Sequence, residues 1–187
     1  AMSTLQAIAL DEKDNPTRVK LLKTLTFSVT RDKWNRRICE DASRSLASYY
    51  FAVAAFDDGV TSIETTYKQG PASWPQVVSH VRGPISSMVG KEETRTRGIR
   101  LADLALTHVK RQIPTDLSDE KLLAEARRCH YALIDLNNQA LREDDVLKGY
   151  QGMIRKFGVD DEILGNLAGW YKGRDNYDEA RQVYRRY

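Results

Sequence analysis

The segment from Asp160 to Tyr187 constrains the fold most strongly, because two short amphipathic patterns meet at a turn within it. In each pattern apolar residues recur at spacings of three and four, which places them on one face of a helix. These residues are Ile163, Leu167, Trp170 and Tyr171 in the first pattern and Tyr177, Ala180 and Tyr184 in the second. The polar run Arg174-Asp175-Asn176 between them predicts a turn, and the small Ala180 allows two helix axes to approach closely. The segment therefore predicts a helical hairpin rather than one continuous helix.

The order of large, small and aromatic residues in this hairpin resembles one tetratricopeptide (TPR) unit, the helical hairpin of a repeat family. The residues that carry the resemblance are Leu167, Ala168, Tyr171, Tyr177, Ala180 and Tyr184. One TPR repeat length towards the N-terminus lies a degenerate copy, in which Leu133 and Tyr150 match but Asn137 replaces an aromatic residue and Val146 replaces the small one. The resemblance covers about the last third of the chain. The alternative is an unrelated all-helical domain that ends in a hairpin.

Helical periodicity also dominates the rest of the chain. Between Arg31 and Phe56 one apolar stripe recurs every three or four residues and consists of Trp34, Ile38, Ala42, Leu46, Tyr49, Val53 and Phe56. From Ser45 to Phe56 this stretch has no charged residue, which predicts a central helix enclosed by others and ended by the cap residue Gly59. No segment shows convincing strand alternation. The sequence therefore predicts an all-α fold of stacked antiparallel hairpins, TPR-like at the C-terminus, with an N-terminal helical bundle.

Residues 70–90 contain several helix breakers, namely Gly70-Pro71, Pro75 and Gly83-Pro84. They predict two short helices, near 76–81 and 85–89, and a boundary between subdomains. The predicted organisation is an N-terminal helical subdomain at 1–70, a broken connector at 71–90 and a helical-hairpin subdomain at 91–187. In the last of these, one long helix spans 91–113 and a second is capped by Asp116 or Ser118.

Charge, cysteine placement and hydropathy set expectations about partners, compartment and membrane insertion. The formal net charge is only +3, which does not by itself indicate a polyanion partner. Cys39 and Cys129 lie far apart in helical patterns, so we expect a reducing, intracellular and cytoplasmic setting. No run of 18 apolar residues occurs, so membrane insertion is not expected.

The sequence shows no recognisable catalytic or metal motif. None of His80, His108 and His130 follows a carboxylate by three residues, so the Glu-x-x-His pair of di-iron bundles is absent. Phosphate-binding glycine loops and nucleophile turns are also absent. We therefore predict no catalytic residue, metal or cofactor, and an enzyme whose site is assembled from scattered residues is the least favoured alternative.

The TPR resemblance implies a scaffold or adaptor that binds a partner protein or peptide on the first helix of each hairpin. In that register the predicted partner-binding residues are Arg128, Tyr131, Asp135, Asn138, Asn166 and Lys172. They do not reproduce the lysine and asparagine set with which some family members grip a carboxy-terminal carboxylate. Mixed polar and aromatic recognition is expected instead, and the C-terminal hairpin is a second expected surface, for self-association.

An RNA-associated helical protein is the alternative function. Its predicted contacts are Lys110, Arg111, Arg127 and Arg128, which could converge across a helix pair. Tyr131 and Trp170 would add stacking surfaces for single-stranded RNA.

Overall fold

The computed structural model describes residues 15–30, 32, 35–69 and 73–186, and every regular element in these ranges is helical. The α-helices are α1 (Asn15–Lys23), α2 (Arg36–Ala52), α3 (Phe56–Gln69), α4 (Trp74–Val89), α5 (Arg95–Lys110), α6 (Glu120–Gln139), α7 (Glu143–Phe157), α8 (Asp161–Lys172) and α9 (Tyr177–Arg186). A π-helical turn (Thr24–Ser28) follows α1, and a 3₁₀ turn (Glu92–Thr94) precedes α5. The predicted all-α class is confirmed.

The chain divides into two compact units, Ala1–His108 and Val109–Tyr187. Residues 71–90, the predicted connector, belong to the first unit. The division into subdomains at 1–70, 71–90 and 91–187 stays a prediction.

In the first unit α2 packs against α1 and α3, and the buried core between α1, the π-helical turn and α2 consists of Leu22, Leu25, Ala42, Leu46 and Tyr50. The predicted stripe on α2 is partly wrong: Ala42 and Leu46 are buried, but Ile38 is 41% and Val53 52% exposed. Spacings of four advance a side chain about 40° around a helix at each step, so a long stripe of fours drifts off the buried face. Trp34 lies outside the described residues.

The predicted glycine cap at Gly59 is also wrong. Helix α2 already ends at Ala52, and Ala54 takes the positive φ of 60° in the turn. Gly59 lies within α3, where an added Cβ would be 2.5 Å from the Phe51 ring. This glycine therefore gives room to an aromatic side chain from the preceding helix.

Two short helices predicted around Gly83-Pro84 are in fact the single helix α4, with Pro84 in its interior. Proline removes one hydrogen bond and normally kinks or breaks a helix. Here one apolar face continues through the proline, and its residues Val77, Val81, Ile85 and Met88 are buried. Their burial offsets the lost hydrogen bond.

Stacking of Tyr67 on His108, at 4.9 Å between ring centroids, joins α3 to α5 in the same unit.

The second unit contains α6 to α9, in which α6 packs on α7, α7 on α8 and α8 on α9. These helices share one core, formed by Ile134, Val146, Tyr150, Met153, Ile154, Ile163, Leu164, Leu167 and Val183. Asp119 caps α6, because its side chain accepts hydrogen bonds from the N–H groups of Lys121 and Leu122 at 2.8 and 3.2 Å. The predicted cap at Asp116 or Ser118 is wrong: Asp116 instead accepts the N–H of Ser118 at 2.9 Å.

The hairpin predicted at the C-terminus is present as α8 and α9. Its turn repeats the turn between α6 and α7, which lies one TPR repeat length earlier in the sequence. Leu141 and Asp175 have φ values of 57° and 58°, and α7 and α9 begin two residues after them. The inward face of α9 was predicted in part wrongly, since Val183 is buried whereas Tyr177 and Tyr184 are 49% and 55% exposed.

Candidate interaction surface

Helices α6 and α8 are joined at one end by an ion-pair cluster. The Arg127 guanidinium pairs with Asp160 and lies 3.6 Å from the Glu162 carboxylate. Asp160 is also the N-cap of α8 and accepts the Ile163 N–H at 2.8 Å. That backbone hydrogen bond, followed by Arg127, holds the pKa of Asp160 below its ordinary value. One carboxylate thus both starts α8 and ties it to α6.

A second cluster joins the other end of the two helices. The Asn138 side-chain oxygen on α6 accepts a hydrogen bond from the Trp170 indole at 3.1 Å and another from Arg174 at 2.9 Å. The Arg174 guanidinium also stacks over the Trp170 ring at 4.0 Å and pairs with Glu143 at 2.8 Å. Asn138 therefore serves as an internal tie between helices.

Between the two clusters, Tyr131 and Asp135 are half-buried on α6. Burial raises the pKa of the Tyr131 hydroxyl, which lies near the Asn166 side chain of α8. Asp135 accepts a hydrogen bond from the Gln139 amide at 3.2 Å. Below them, burial raises the pKa of Tyr150 to about 12. The middle of the surface is therefore a shallow aromatic and polar layer over an apolar core.

We call this surface the α6–α8 face and define it by Arg128, Tyr131, Asp135, Glu162, Asn166 and Lys172. Arg128, Asn166 and Lys172 are exposed, as a binding role requires. Arg128 pairs with Glu125 of its own helix at 3.1 Å, with 65% of the arginine side chain exposed. Of the six predicted partner-binding residues, Asn138 is engaged internally, as described above.

The cations predicted to contact RNA have different surroundings. Arg127 is held by two carboxylates and only 28% of its side chain is exposed, while Lys110 and Arg111 are exposed at the end of α5 and just after it. Trp170, a predicted stacking platform, already has the Arg174 guanidinium on its ring. The RNA function stays a prediction, and no contact described here favours it.

Two further features concern chemistry and membranes. Among the described residues, no group of three or more His, Cys, Asp and Glu side chains is arranged to hold a metal ion. His130 packs edge-on against Phe157 at 5.3 Å, and its Nε2 lies 3.4 Å from the Lys156 ammonium.

Within the part of the chain that the structure describes, no helix has both the length and the apolar character needed to cross a membrane.

Comparison of the sequence with protein-family models gives no match, and comparison with curated proteins gives none either.

Proposed function

We propose that this chain is a protein-interaction module, a scaffold or adaptor, that binds a partner protein or peptide on the α6–α8 face. One observation carries the proposal: clusters at both ends fix α6 and α8 together, while the side chains of Arg128, Asn166 and Lys172 remain exposed on them. A surface that is ordered before binding loses less conformational entropy when a partner docks.

The recurrence of the hairpin turns supports a TPR-like arrangement of this unit. Beyond the paired φ values of Leu141 and Asp175, the N–H groups of Arg142 and Asn176 donate to the carbonyl oxygens of Asn137 and Tyr171, at 2.9 and 3.1 Å. Each donor and each acceptor again lies one repeat length from its counterpart. Stacked hairpins of this kind bind extended segments or helices on the wall formed by their first helices, and here those helices are α6 and α8.

The chemistry of the face favours a peptide that carries acidic and aromatic side chains. Arg128 and Lys172 supply exposed positive charge, Asn166 supplies both donors and an acceptor, and Tyr131 supplies a partly exposed ring. The ion pair between Arg128 and Glu125 is exposed, and such pairs contribute about 0–1 kcal/mol. Arg128 can therefore exchange this carboxylate for one on the partner at little cost.

Both cysteines are free and buried, which supports a reducing intracellular setting for the module.

The test begins with selection of binding peptides from a displayed random library against the full chain. Affinities of the selected peptides are then measured by fluorescence anisotropy for the wild type and for an Arg128→Glu/Lys172→Glu variant. The matched control is Lys148→Glu/Arg155→Glu on α7, which changes the net charge by the same amount. Both positions are exposed, and Lys148, like Arg128, forms an ion pair with an acidic residue three positions earlier in its own helix.

We expect binding to weaken about tenfold or more in the face variant, which corresponds to roughly 1.4 kcal/mol, and to stay within about twofold in the control. Equal weakening in both variants would show a general charge effect. That result would overturn the proposal, and so would peptide affinities that are unchanged in both variants.

A further inference from the structure

The α6–α8 face lacks the feature that a helical partner requires. An amphipathic helix docks by inserting apolar anchors, spaced three and four residues apart, into a hydrophobic groove. Among the described residues, the large apolar side chains that are left exposed lie elsewhere. Even Leu122, which is on α6, lies about 140° around that helix from Asp135. The half-buried ring of Tyr131 is a single contact, so a partner helix would find no apolar groove here.

The middle of the face offers polar groups instead. Asn166 is exposed, and its amide carries two donors and one acceptor oxygen. The Tyr131 hydroxyl lies near it and is buried without a hydrogen-bond partner among the described residues. An unpaired buried hydroxyl destabilises a protein until a partner or a water molecule satisfies it. These groups suit peptide N–H and C=O groups, which an extended chain leaves unpaired and a helix uses internally.

The surface beside Asn166 lets a peptide backbone come close. Gly169 lies three residues later on α8, is exposed, and has nothing within 4 Å of an added Cβ. Two packed helices keep their axes about 8–10 Å apart because side chains fill the space between them. An extended backbone can instead lie directly on the open Cα of Gly169, within reach of the Asn166 amide.

We propose that the partner on the α6–α8 face is an extended peptide whose backbone bonds to Asn166 and Tyr131, passes over Gly169 and places a carboxylate beside Lys172. Lys172 is exposed and lies about 4.5 Å beyond Gly169 along α8. Because an extended chain rises about 3.3 Å per residue, a carboxylate one or two residues past Gly169 reaches Lys172. The inference rests on the proposed function, since it names the kind of partner that the same face takes.

The path over Gly169 is tested with the peptides selected from the displayed library, by fluorescence anisotropy. Gly169→Gln should weaken their binding about tenfold or more, because the new side chain fills the path. Gly152→Gln on α7 is the matched control, since a Cβ added there also meets nothing within 4 Å, and its affinity should stay within about twofold. Circular dichroism checks that both variants keep their helix content. If the two variants bind equally well, the path is wrong.

Tyr131→Phe separates binding from folding. Removal of an unpaired hydroxyl should leave the midpoint of urea unfolding unchanged or raise it, while peptide binding weakens about three- to tenfold. A hydroxyl that served only the fold would give the reverse, a lower midpoint with unchanged affinity. That outcome would overturn the backbone contact.

The conformation of the peptide is tested on the peptide itself. Two α-aminoisobutyrate residues, which favour a helix, are placed outside the acidic positions of the tightest selected peptide, and we expect about tenfold weaker binding. Tighter binding would show a helical partner and overturn the proposal, while weakening by Arg128→Glu/Lys172→Glu would still support the face. If that charge variant leaves the affinity of every peptide unchanged, the proposed function fails and this proposal fails with it.

Discussion

Replacing Gly149 by alanine probes a close contact between α6 and α7. An added Cβ at this position would lie 2.6 Å from Cγ1 of Ile134 and 3.3 Å from its Cδ1. Ile134 is only 5% exposed and belongs to the core of the second unit. Because isoleucine branches at Cβ, its χ1 angle has little freedom, so the side chain cannot swing aside without disturbing its neighbours.

Gly152 supplies the matched control on the same helix, since nothing lies within 4 Å of a Cβ added there. Glycine to alanine within a helix stabilises by about 0.5–1 kcal/mol through the backbone alone. Gly152→Ala should therefore stabilise by that amount. Gly149→Ala gains the same backbone stabilisation, but the added methyl group overpacks the core at a cost of about 1–3 kcal/mol. The net effect is a destabilisation of about 1 kcal/mol, and the difference between the variants isolates the packing term.

Urea unfolding followed by circular dichroism measures both free energies of unfolding. Hydrogen exchange monitored by mass spectrometry then shows whether the change falls on peptides from α6 and α7. If Gly149→Ala proves as stable as Gly152→Ala, within about 0.5 kcal/mol, the two helices are not in contact at Ile134, and the packing of the first hairpin is wrong.

Three further predictions concern polar groups. Asn138→Leu removes the acceptor used by Trp170 and should lower the free energy of unfolding by about 1–3 kcal/mol, whereas Asn138→Asp keeps an acceptor and should cost less; equal losses in urea unfolding would contradict this. The pKa of Asp160 is lowered first by the backbone N–H that it caps and then by Arg127, so its stabilisation is complete above the unfolded pKa of about 4 and is lost as pH falls through the folded pKa. The stability gap between the wild type and Asp160→Asn should therefore shrink from pH of about 6 to about 2.5, and a constant gap would refute the linkage. Burial lowers the pKa of His80 to about 4; the unfolded chain then binds the proton first, so stability should fall as pH drops from about 6.5 to about 4. Between those pH values the melting temperature should fall less steeply with decreasing pH in His80→Gln than in the wild type. An equally steep fall in both proteins would contradict the lowered pKa of His80.

The helices of the second unit were the most predictable part of the fold. Short apolar patterns there are bracketed by strong local signals, namely the acidic first turn and Gly158 for α7 and Asp160 for α8. Local signals were less reliable in the first unit. Pro84 reads as a helix breaker, yet α4 continues through it because burial of one whole face outweighs the lost hydrogen bond.

The α6–α8 face was predictable only in part. Helical spacing places Arg128, Asn166 and Lys172 on the exposed side of their helices, and this depends on local sequence alone. The engagement of Asn138 by Trp170 depends on the lateral position of α8 beside α6, which joins residues 32 positions apart. Spacing within one helix carries no information about such a contact, so the sequence did not reveal that Asn138, a predicted binding residue, also ties two helices together.

The pairing of α6 with α8 underlies both the hairpin stack and the proposed binding face. An NOE spectrum of the isotope-labelled full chain tests it most directly, through the Trp170 indole proton. We predict a cross-peak from that proton to the Asn138 side chain, together with slow exchange of the indole proton with solvent. An indole proton that exchanges freely and shows no cross-peak to α6 would contradict the pairing and remove the basis of the proposed face.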